Sequence, residues 1–327
     1  MSSGCGPGRE LDGPPPVICV LCGGVGAARF LSGLVEVVAP EDVVGIVNTG
    51  DDTVMHGLTV CPDLDTVTYT LAGLVNPETG WGVAGDSFAA MEALERLGGA
   101  TWFRLGDADL GTHLYRTARL AAGARLSEVT AEIASALGLG VRLLPMSDDP
   151  VRTRLLLRGG DEVAFQDYFV RLRHAVEVES VRFEGADAAR PAPGVIEALE
   201  QAETVVVAPS NPVVSIAPIL AVPGVAQALA ARRAHVVAVS PIVAGVALKG
   251  PADRLLRELG DEPSALGVAR RLAAVCGTLV VDAADAALAP VVEAEGLSCV
   301  VTDTVMASPE RARTLARRVL EAAPATA

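Results

Sequence analysis

Short runs of β-branched and aliphatic residues recur along the chain: VICVLC at 17–22, VVGIVN at 43–48, TVVVAP at 204–209, HVVAVS at 235–240 and TLVVDA at 278–283. Runs that are apolar at nearly every position, and bounded by turn residues, suit strands of a parallel sheet covered by helices on both faces. Between them the apolar positions take on helical spacing, which predicts helices over 64–74, 86–97, 113–122, 127–137, 194–201, 223–231, 264–275 and 309–321. The first run ends in Gly23, Gly24, Val25 and Gly26, after which ARFLSGLVEVV turns helical. Strand, glycine turn and helix in that order open a doubly wound sheet.

From about 141 to 183 the pattern changes to short segments, VRLL, RTRLLLRGG, DEVAFQ and VEVESVRF, with turn formers at several joins and little sustained helical period. This predicts a β-rich insertion that forms a wall or lid. The expected fold is therefore α/β, a doubly wound, mostly parallel Rossmann-like sheet with a β-rich inserted subdomain. Its parts are a flexible tail at 1–16, a nucleotide- and metal-binding α/β half at 17–140, the insertion or lid at 141–190, and a second α/β half at 191–327 that completes the sheet.

A chain of 327 residues, half of them apolar, can bury a substantial core. Its net charge of −14 argues against an open surface for nucleic acid or an anionic membrane, because repulsion opposes approach to phosphate polymers. A phosphate ligand must then be held locally, by backbone amides, by arginines or by a bridging metal ion. The apolar stretch at 204–231 is broken by Pro209, Pro212, Pro218 and Pro223, so a membrane-spanning helix is not expected there. Six cysteines without a secretory leader read as reduced thiols of a cytoplasmic protein. Cys19 and Cys22 stand three apart within a strand and face opposite sides of it, which favours buried thiols over a redox pair. The four histidines show no metal-ligand spacing.

The small residues of the glycine turn let backbone N–H groups approach an anionic phosphate at a helix start; the alternative is a tight turn that only packs helix on sheet. The next strand ends in NTGDD, Asn48 to Asp52, and CPDLDT follows with Asp63 and Asp65. Mg²⁺ takes one or two carboxylates and completes its shell with substrate phosphates and water, which makes Asp51 and Asp65 the expected ligands. Asp52 is then a spare carboxylate able to orient or deprotonate an attacking hydroxyl, so Asp51 and Asp52 form the expected catalytic pair. The competing account is a turn at NTGD with Asp63 or Asp65 capping a helix. Two later segments, APSNPVVSI at 208–216 and SPIVAGVALKG at 240–250, follow strands at the edge where open α/β sheets bind ligands. Gly23, Gly24, Val25, Gly26, Asn48, Thr49, Ser210, Asn211 and Lys249 make up the expected nucleotide-binding set. Trp81 and Trp102, in a chain with 3% aromatic residues, stand either in core or against a planar ring, and Arg104, Asp107 and Asp109 either line a polar wall or pair on the surface.

Taken in order, GGVGAARFL, NTGDD with MHGL, CPDLDTVTYTLAG, GWGVAGDSF, WFRLGDADLGTHLYRT, LLPMSDDPVRT, FQDYFVRLRH, APSNPVVSIAPIL and SPIVAG resemble the 2-phospho-L-lactate transferase family. The resemblance implies a Mg²⁺-dependent enzyme. It would move a phosphoenolpyruvyl or 2-phospholactyl group from its guanosine diphosphate-activated form to the ribityl hydroxyl of the deazaflavin Fo, with GMP leaving and a (dehydro) coenzyme F420-0 as product. It also implies a homodimer, Asp51 and Asp65 at the metal and near the Fo hydroxyl, and the Gly23–Gly26 turn with Ser210 and Asn211 at the guanosine phosphates. The chain departs from the family pattern at Val54, where many relatives carry an aromatic residue, and at Tyr168–Phe169, which replaces a tryptophan-rich pair. The runner-up is a regulator of the gluconeogenesis-factor type that binds a nucleotide sugar without catalysis. A nicotinamide-dependent dehydrogenase is disfavoured by Arg29 in place of a third glycine and by the absence of a ribose-binding acid after the second strand.

Overall fold

In a computed structural model, which describes residues 18–324, strand β1 (Ile18–Cys22) runs through the middle of a seven-stranded parallel sheet. The tail expected at 1–16 lies outside the described residues. All five residues of β1 are buried, and they divide between two cores. Cys19 and Leu21 pack on one face of the sheet, while Ile18, Val20 and Cys22 pack on the other. This is the two-sided burial that a continuous apolar run demands. It puts the two thiols on opposite faces, where burial pushes Cys19 up to about 12 and Cys22 well above its usual range, as befits packing residues.

The remaining strands are β2 (Val43–Val47), β3 (Thr53–Met55), β4 (Leu58–Val60), β5 (Arg142–Pro145), β6 (Arg152–Leu157), β7 (Glu162–Ala164), β8 (Val178–Glu184), β9 (Thr204–Val207), β10 (Val236–Val239), β11 (Ile242–Val243), β12 (Val246–Ala247), β13 (Thr278–Asp282) and β14 (Ser298–Thr302). The large sheet has the order β14-β13-β10-β9-β1-β2-β5. The chain thus grows outward from β1 to β2 and β5, then returns to the other side of β1 through β9. The switch point between β1 and β9 leaves a crevice at the carboxyl edge, where such sheets bind ligands. The expected doubly wound α/β fold is what the chain forms.

The inserted sheet consists of β6, β7 and β8, paired antiparallel in the order β7-β6-β8. The VRLL segment, read as the start of that insertion, belongs instead to the main sheet. Its Leu143 pairs with Gly45 and its Leu144 with Ile46. β14 is the other strand that the apolar runs did not single out. Both are edge strands, with a neighbour on one side only.

Two hairpins hang from the carboxyl edge. β3 and β4 join through His56 and Gly57, and β11 and β12 through Ala244 and Gly245, all four at positive φ. Two consecutive residues at positive φ give the tight hairpin turn whose twist matches its strands. Helices α1 (Gly24–Leu34), α2 (Pro62–Leu71), α3 (Ala89–Arg96) and α4 (Asp107–Ala121) surround the switch point or wall it, and the C-terminal helix Pro309–Glu321 crosses α1. The crossing is close: a Cβ on Gly33 would lie 2.4 Å from the backbone carbon of Ala312. Among the described residues no single helix is long and apolar enough to cross a membrane, and the apolar pair Pro212–Ala221 and Val225–Ala231 bends by 92°.

Candidate active site

A cavity of about 630 Å³ opens over the carboxyl edge at the switch point. Its floor is the glycine turn. Gly24 has φ +65, open to glycine at little cost, and a Cβ on Gly26 would lie 2.1 Å from the carbonyl oxygen of Pro209. Glycine is what lets the β1 turn and the β9 loop touch. The Ser210 hydroxyl donates to the Gly23 carbonyl at 2.8 Å, and the Asn211 side-chain oxygen accepts from the amides of Val213 and Val214. Both side chains therefore build the loop whose surface faces the cavity. Helix α1 begins at Gly24 with no cap from its N-cap residue Gly23 and no acidic residue in its own first turn. The Gly24 amide donates to Asp63, and the N–H groups of the turn that follow it have no partner within the helix, which leaves a place for anionic oxygen.

The acidic residues of NTGDD and CPDLDT separate into two environments. Asp51 and Asp63 both line the cavity and are joined by one side chain, since the Asn48 amide donates to Asp51 at 3.2 Å and to Asp63 at 2.9 Å. Burial, with each other's charge and that of Asp52 added, holds Asp51 well above the usual carboxylate range. Asp63 is pushed up to about 6 by burial, against the opposing hydrogen bonds from Asn48 and the Gly24 amide. Asp65 also lines the cavity, but it is ion-paired with the guanidinium of Arg116, itself 2% exposed, with Nη1 at 3.2 Å from Oδ2.

This placement revises the sequence expectation at three points. Asp65, expected beside Asp51, faces Arg116, and Asp63 takes its place; residues two apart on a helix point about 200° apart around the axis, so only one of them can face Asp51. Asp52 is buried against Cys61 and does not line the cavity, and burial pushes it up to about 7. Asn48 and Thr49 lie behind the cavity wall, where Asn48 holds the acidic pair and Thr49 is 2% exposed. Asp51 sits past the end of β2 as expected and is 6% exposed.

Gly23, Gly24, Val25, Gly26, Ser210, Asn211 and Lys249 come together in the cavity lining. Lys249 reaches across the mouth and donates to the Thr79 carbonyl at 2.7 Å; burial and the charge of Arg29 lower its pKa. Several lining residues were not anticipated: Asp63 beside Asp51, Arg29 on α1, Ser215, Tyr69, His113, and the loop Thr304–Ala307 after β14. That loop is tied down by Asp282 at the end of β13, whose carboxylate accepts from the Thr304 amide at 2.8 Å and its hydroxyl at 3.0 Å. Trp81 lines the mouth and is exposed, whereas Trp102 packs with Phe103 and Phe88 in a satellite core. Arg104 and Asp109 line the cavity, while Asp107 caps the start of α3 through the Ala89 and Ala90 amides.

Asp51 and Asp63 share the Asn48 amide, are destabilised in their charged forms, and have no arginine partner of the kind that Arg116 gives Asp65, a chemistry compatible with a hard divalent cation.

A parallel sheet that presents buried carboxylates and an uncapped helix start at its switch point is the framework of an α/β enzyme that handles phosphate groups, here a transferase. The chain belongs to the 2-phospho-L-lactate transferase CofD family, whose model matches residues 18–322. It is 46% identical over 310 residues to a phosphoenolpyruvate transferase of Kitasatospora aureofaciens, covering 93% of this chain and 96% of that one. A phosphoenolpyruvate transferase of Nocardia farcinica is 43% identical, with 90% of this chain and 94% of that one covered. One of Mycolicibacterium smegmatis is 39% identical, with 94% and 98% covered. Among solved structures, a member of the UPF0052 family from Bacillus halodurans superposes with a TM-score of 0.60 at 16% identity, covering 94% of this chain and all of that one, a likeness of fold.

Proposed function

We propose that the protein transfers a phosphoenolpyruvyl or 2-phospholactyl group from its guanosine diphosphate-activated form to the ribityl hydroxyl of the deazaflavin Fo. The new bond joins the acceptor oxygen to the phosphorus that carries the three-carbon acid. The bridging P–O bond breaks, GMP leaves with the bridging oxygen, and the hydroxyl proton passes to solvent or to a basic group of the site. The observation that carries this reading is the junction of Asp51 and Asp63 with the open start of α1 on one cavity. A phosphate at the helix start would lie beside the acidic pair, which is the arrangement in-line phosphoryl transfer needs.

The amides of the Gly23–Gly26 turn would bind the diphosphate of the donor, helped by the cationic side chains of Arg29 and Lys249 at the rim. Asp51 and Asp63 would hold Mg²⁺, which when bound neutralises charge on the diphosphate and lowers the repulsion that four neighbouring carboxylates otherwise exert. Asn48 keeps that pair aligned. Trp81 and Phe165 supply apolar surface at the mouth for a planar ring. At about 630 Å³ the cavity has the size of sites for ligands of this class. The reading carries with it a cytoplasmic homodimer.

The test is mass spectrometry of reactions that contain the purified protein, Fo, Mg²⁺ and each donor generated in place, with a metal-free control. Metal-dependent release of GMP with the matching gain of mass on Fo supports the reading and identifies the three-carbon group. Tight nucleotide binding without product from either donor would replace it with the nucleotide-sugar-binding regulator.

A further inference from the structure

His113 is the histidine that lines the cavity, and its position invites the role of general base. Its neighbours argue otherwise. On one side, Nδ1 lies 3.3 Å from Nη1 of Arg116. A guanidinium has only donors, so this contact is favourable when Nδ1 is the lone-pair nitrogen and the proton sits on Nε2. A proton on Nδ1 would face the guanidinium donor to donor, with the nearest carboxylate oxygen, Oδ2 of Asp65, 3.7 Å away. On the other side, Nε2 is buried 3.3 Å from Oδ1 of Asp109, near that oxygen without a full hydrogen bond to it. The ring is 1% exposed. With one nitrogen covered by Arg116 and the other aimed at a carboxylate, neither is presented to a reacting hydroxyl.

Asp109, one turn earlier on α4, is the member of this chain of contacts that reaches the cavity, with 15% of its side chain exposed. Its Oδ1 receives the Tyr69 hydroxyl at 2.7 Å as well as the approach of His113. Burial works to raise its pKa, and the donors His113 and Tyr69 with the charge of Arg116 more than offset that. Its wall of the cavity also carries Phe103 and Arg104, away from the glycine turn.

We infer that Asp109 is the hydrogen-bond acceptor that holds the polar, hydroxyl- or N–H-bearing part of the acceptor substrate. His113, locked as the neutral Nε2–H tautomer by Arg116, is a positioning residue that orients Asp109. The inference rests on the proposed transfer for the identity of the acceptor and on local geometry for the tautomer. The Tyr69 hydroxyl, with the approach of His113, fixes one carboxylate oxygen, which leaves the other oxygen to the ligand. His113 takes no proton in the reaction.

The tautomer is read without turnover. Long-range proton–nitrogen NMR correlations on protein carrying ¹⁵N-labelled histidine resolve the four rings, and loss of one set in His113→Gln assigns it. A protonated Nε2 with a bare Nδ1 is expected. The Nδ1–H tautomer or an imidazolium at neutral pH overturns the inference. The acceptor half is read by equilibrium binding of Fo and, separately, of GDP. Asp109→Asn should weaken Fo by about tenfold or more, the loss expected for a hydrogen bond to a charged group, and change GDP by less than roughly threefold. His113→Gln keeps a donor at the Nε2 position and should stay within roughly threefold for both ligands, whereas His113→Leu should match Asp109→Asn. Unchanged Fo affinity in Asp109→Asn, or equal loss for both ligands, refutes the assignment. If the wild-type protein itself fails to bind Fo, the proposed function falls with the acceptor assignment, and the NMR result still decides the role of His113.

Discussion

Asp63 and Asp65 stand two residues apart on one helix, and substituting each in turn should move stability and metal response in opposite directions. Asp65→Asn removes the counter-charge of Arg116, which stays in place with 2% of its surface exposed. Stranding a buried charge costs about 3–5 kcal/mol. Unfolding entropy of about 2.1 cal/mol/K per residue sums, for a chain of this length, to about 0.7 kcal/mol/K, so the melting temperature should fall by about 4–7 °C. For Asp63 the sign reverses. Its carboxyl is raised from 3.8 to about 6 in the folded protein, so the stability it contributes is fully present below 3.8 and is lost as pH rises through 6. At pH 7.5 the charged group therefore costs up to about 3 kcal/mol. Asp63→Asn relieves this while weakening the contacts to Asn48 and Gly24, so without metal it should melt at or above the wild-type temperature. Mg²⁺ at a hundred times its dissociation constant adds about 2.7 kcal/mol, or about 4 °C, to a protein that binds it. Calorimetry at pH 7.5, with Mg²⁺ and with chelator, should show that gain in wild type and in Asp65→Asn and none in Asp63→Asn. A metal response kept by Asp63→Asn and lost by Asp65→Asn would refute the reasoning and restore Asp65 as the ligand.

Other outcomes follow from the same geometry. Asp52 is raised to about 7 by burial, so its contribution to stability is complete below the ordinary carboxylate value of 3.8 and lost as pH climbs through 7. In urea denaturation, Asp52→Asn should gain on wild type by a margin that widens by about 1–3 kcal/mol between pH 5 and pH 8, and a flat margin would contradict the assignment. The same variant should keep turnover within about tenfold, because the side chain does not reach the cavity; a larger loss would return Asp52 to the catalytic pair expected from sequence. Gly33→Val drives a side chain into the backbone of Ala312 and Arg313, with the first carbon only 2.4–2.7 Å from those atoms, and should lower stability by about 1–3 kcal/mol. In a Cys5→Ser background, thiol reagents should label Cys299 first and reach Cys19, Cys22 and Cys61 only on unfolding, since those three are wholly buried with raised pKa. Rapid labelling of Cys61 in the native protein would show that the floor of the site opens.

The central strands were legible because a strand covered on both faces must be apolar at nearly every position, and β1, β2, β9, β10 and β13 read that way apart from their ends. β5 and β14 escaped for the converse reason. β5 is four residues long and opens on Arg142, and β14 begins at an exposed Ser298, so neither carries a long apolar run. The loop Thr304–Ala307 escaped with β14, although it walls the cavity. Within the site, the glycine turn and the Asp51 strand end could be read from local pattern, since both depend on adjacent residues. The choice between Asp63 and Asp65 could not. It is made by Arg116, separated from Asp65 by 51 positions, whose guanidinium is brought there by the packing of α4 on β4. Asn48 misled for a related reason: a polar residue at the end of a buried strand reads as a ligand contact, and here it spends both ends of its amide on the protein, its nitrogen on Asp51 and Asp63 and its oxygen on the Gly50 amide.

Under the proposed function, the charge balance of the site accounts for how so acidic a protein would take acidic substrates. Four buried carboxylates, Asp51, Asp52, Asp63 and Asp65, come from two short segments of the chain, and the guanidinium of Arg116 answers Asp65. Asp51 and Asp63 keep raised pKa values, which is what burial without a counter-ion produces, and Asp52 stays raised even though Arg152 and Arg116 pull against its burial. A diphosphate arriving alone at the glycine turn would meet this uncompensated charge and be repelled, while a diphosphate arriving with a divalent cation would bring the missing charge to Asp51 and Asp63. Under the proposed function, discrimination between bare and metal-bound ligand would therefore be built into the pair that faces the cavity. Raising the pH above the Asp63 value should sharpen it, because the ionised pair binds a cation more tightly and repels a bare anion more strongly.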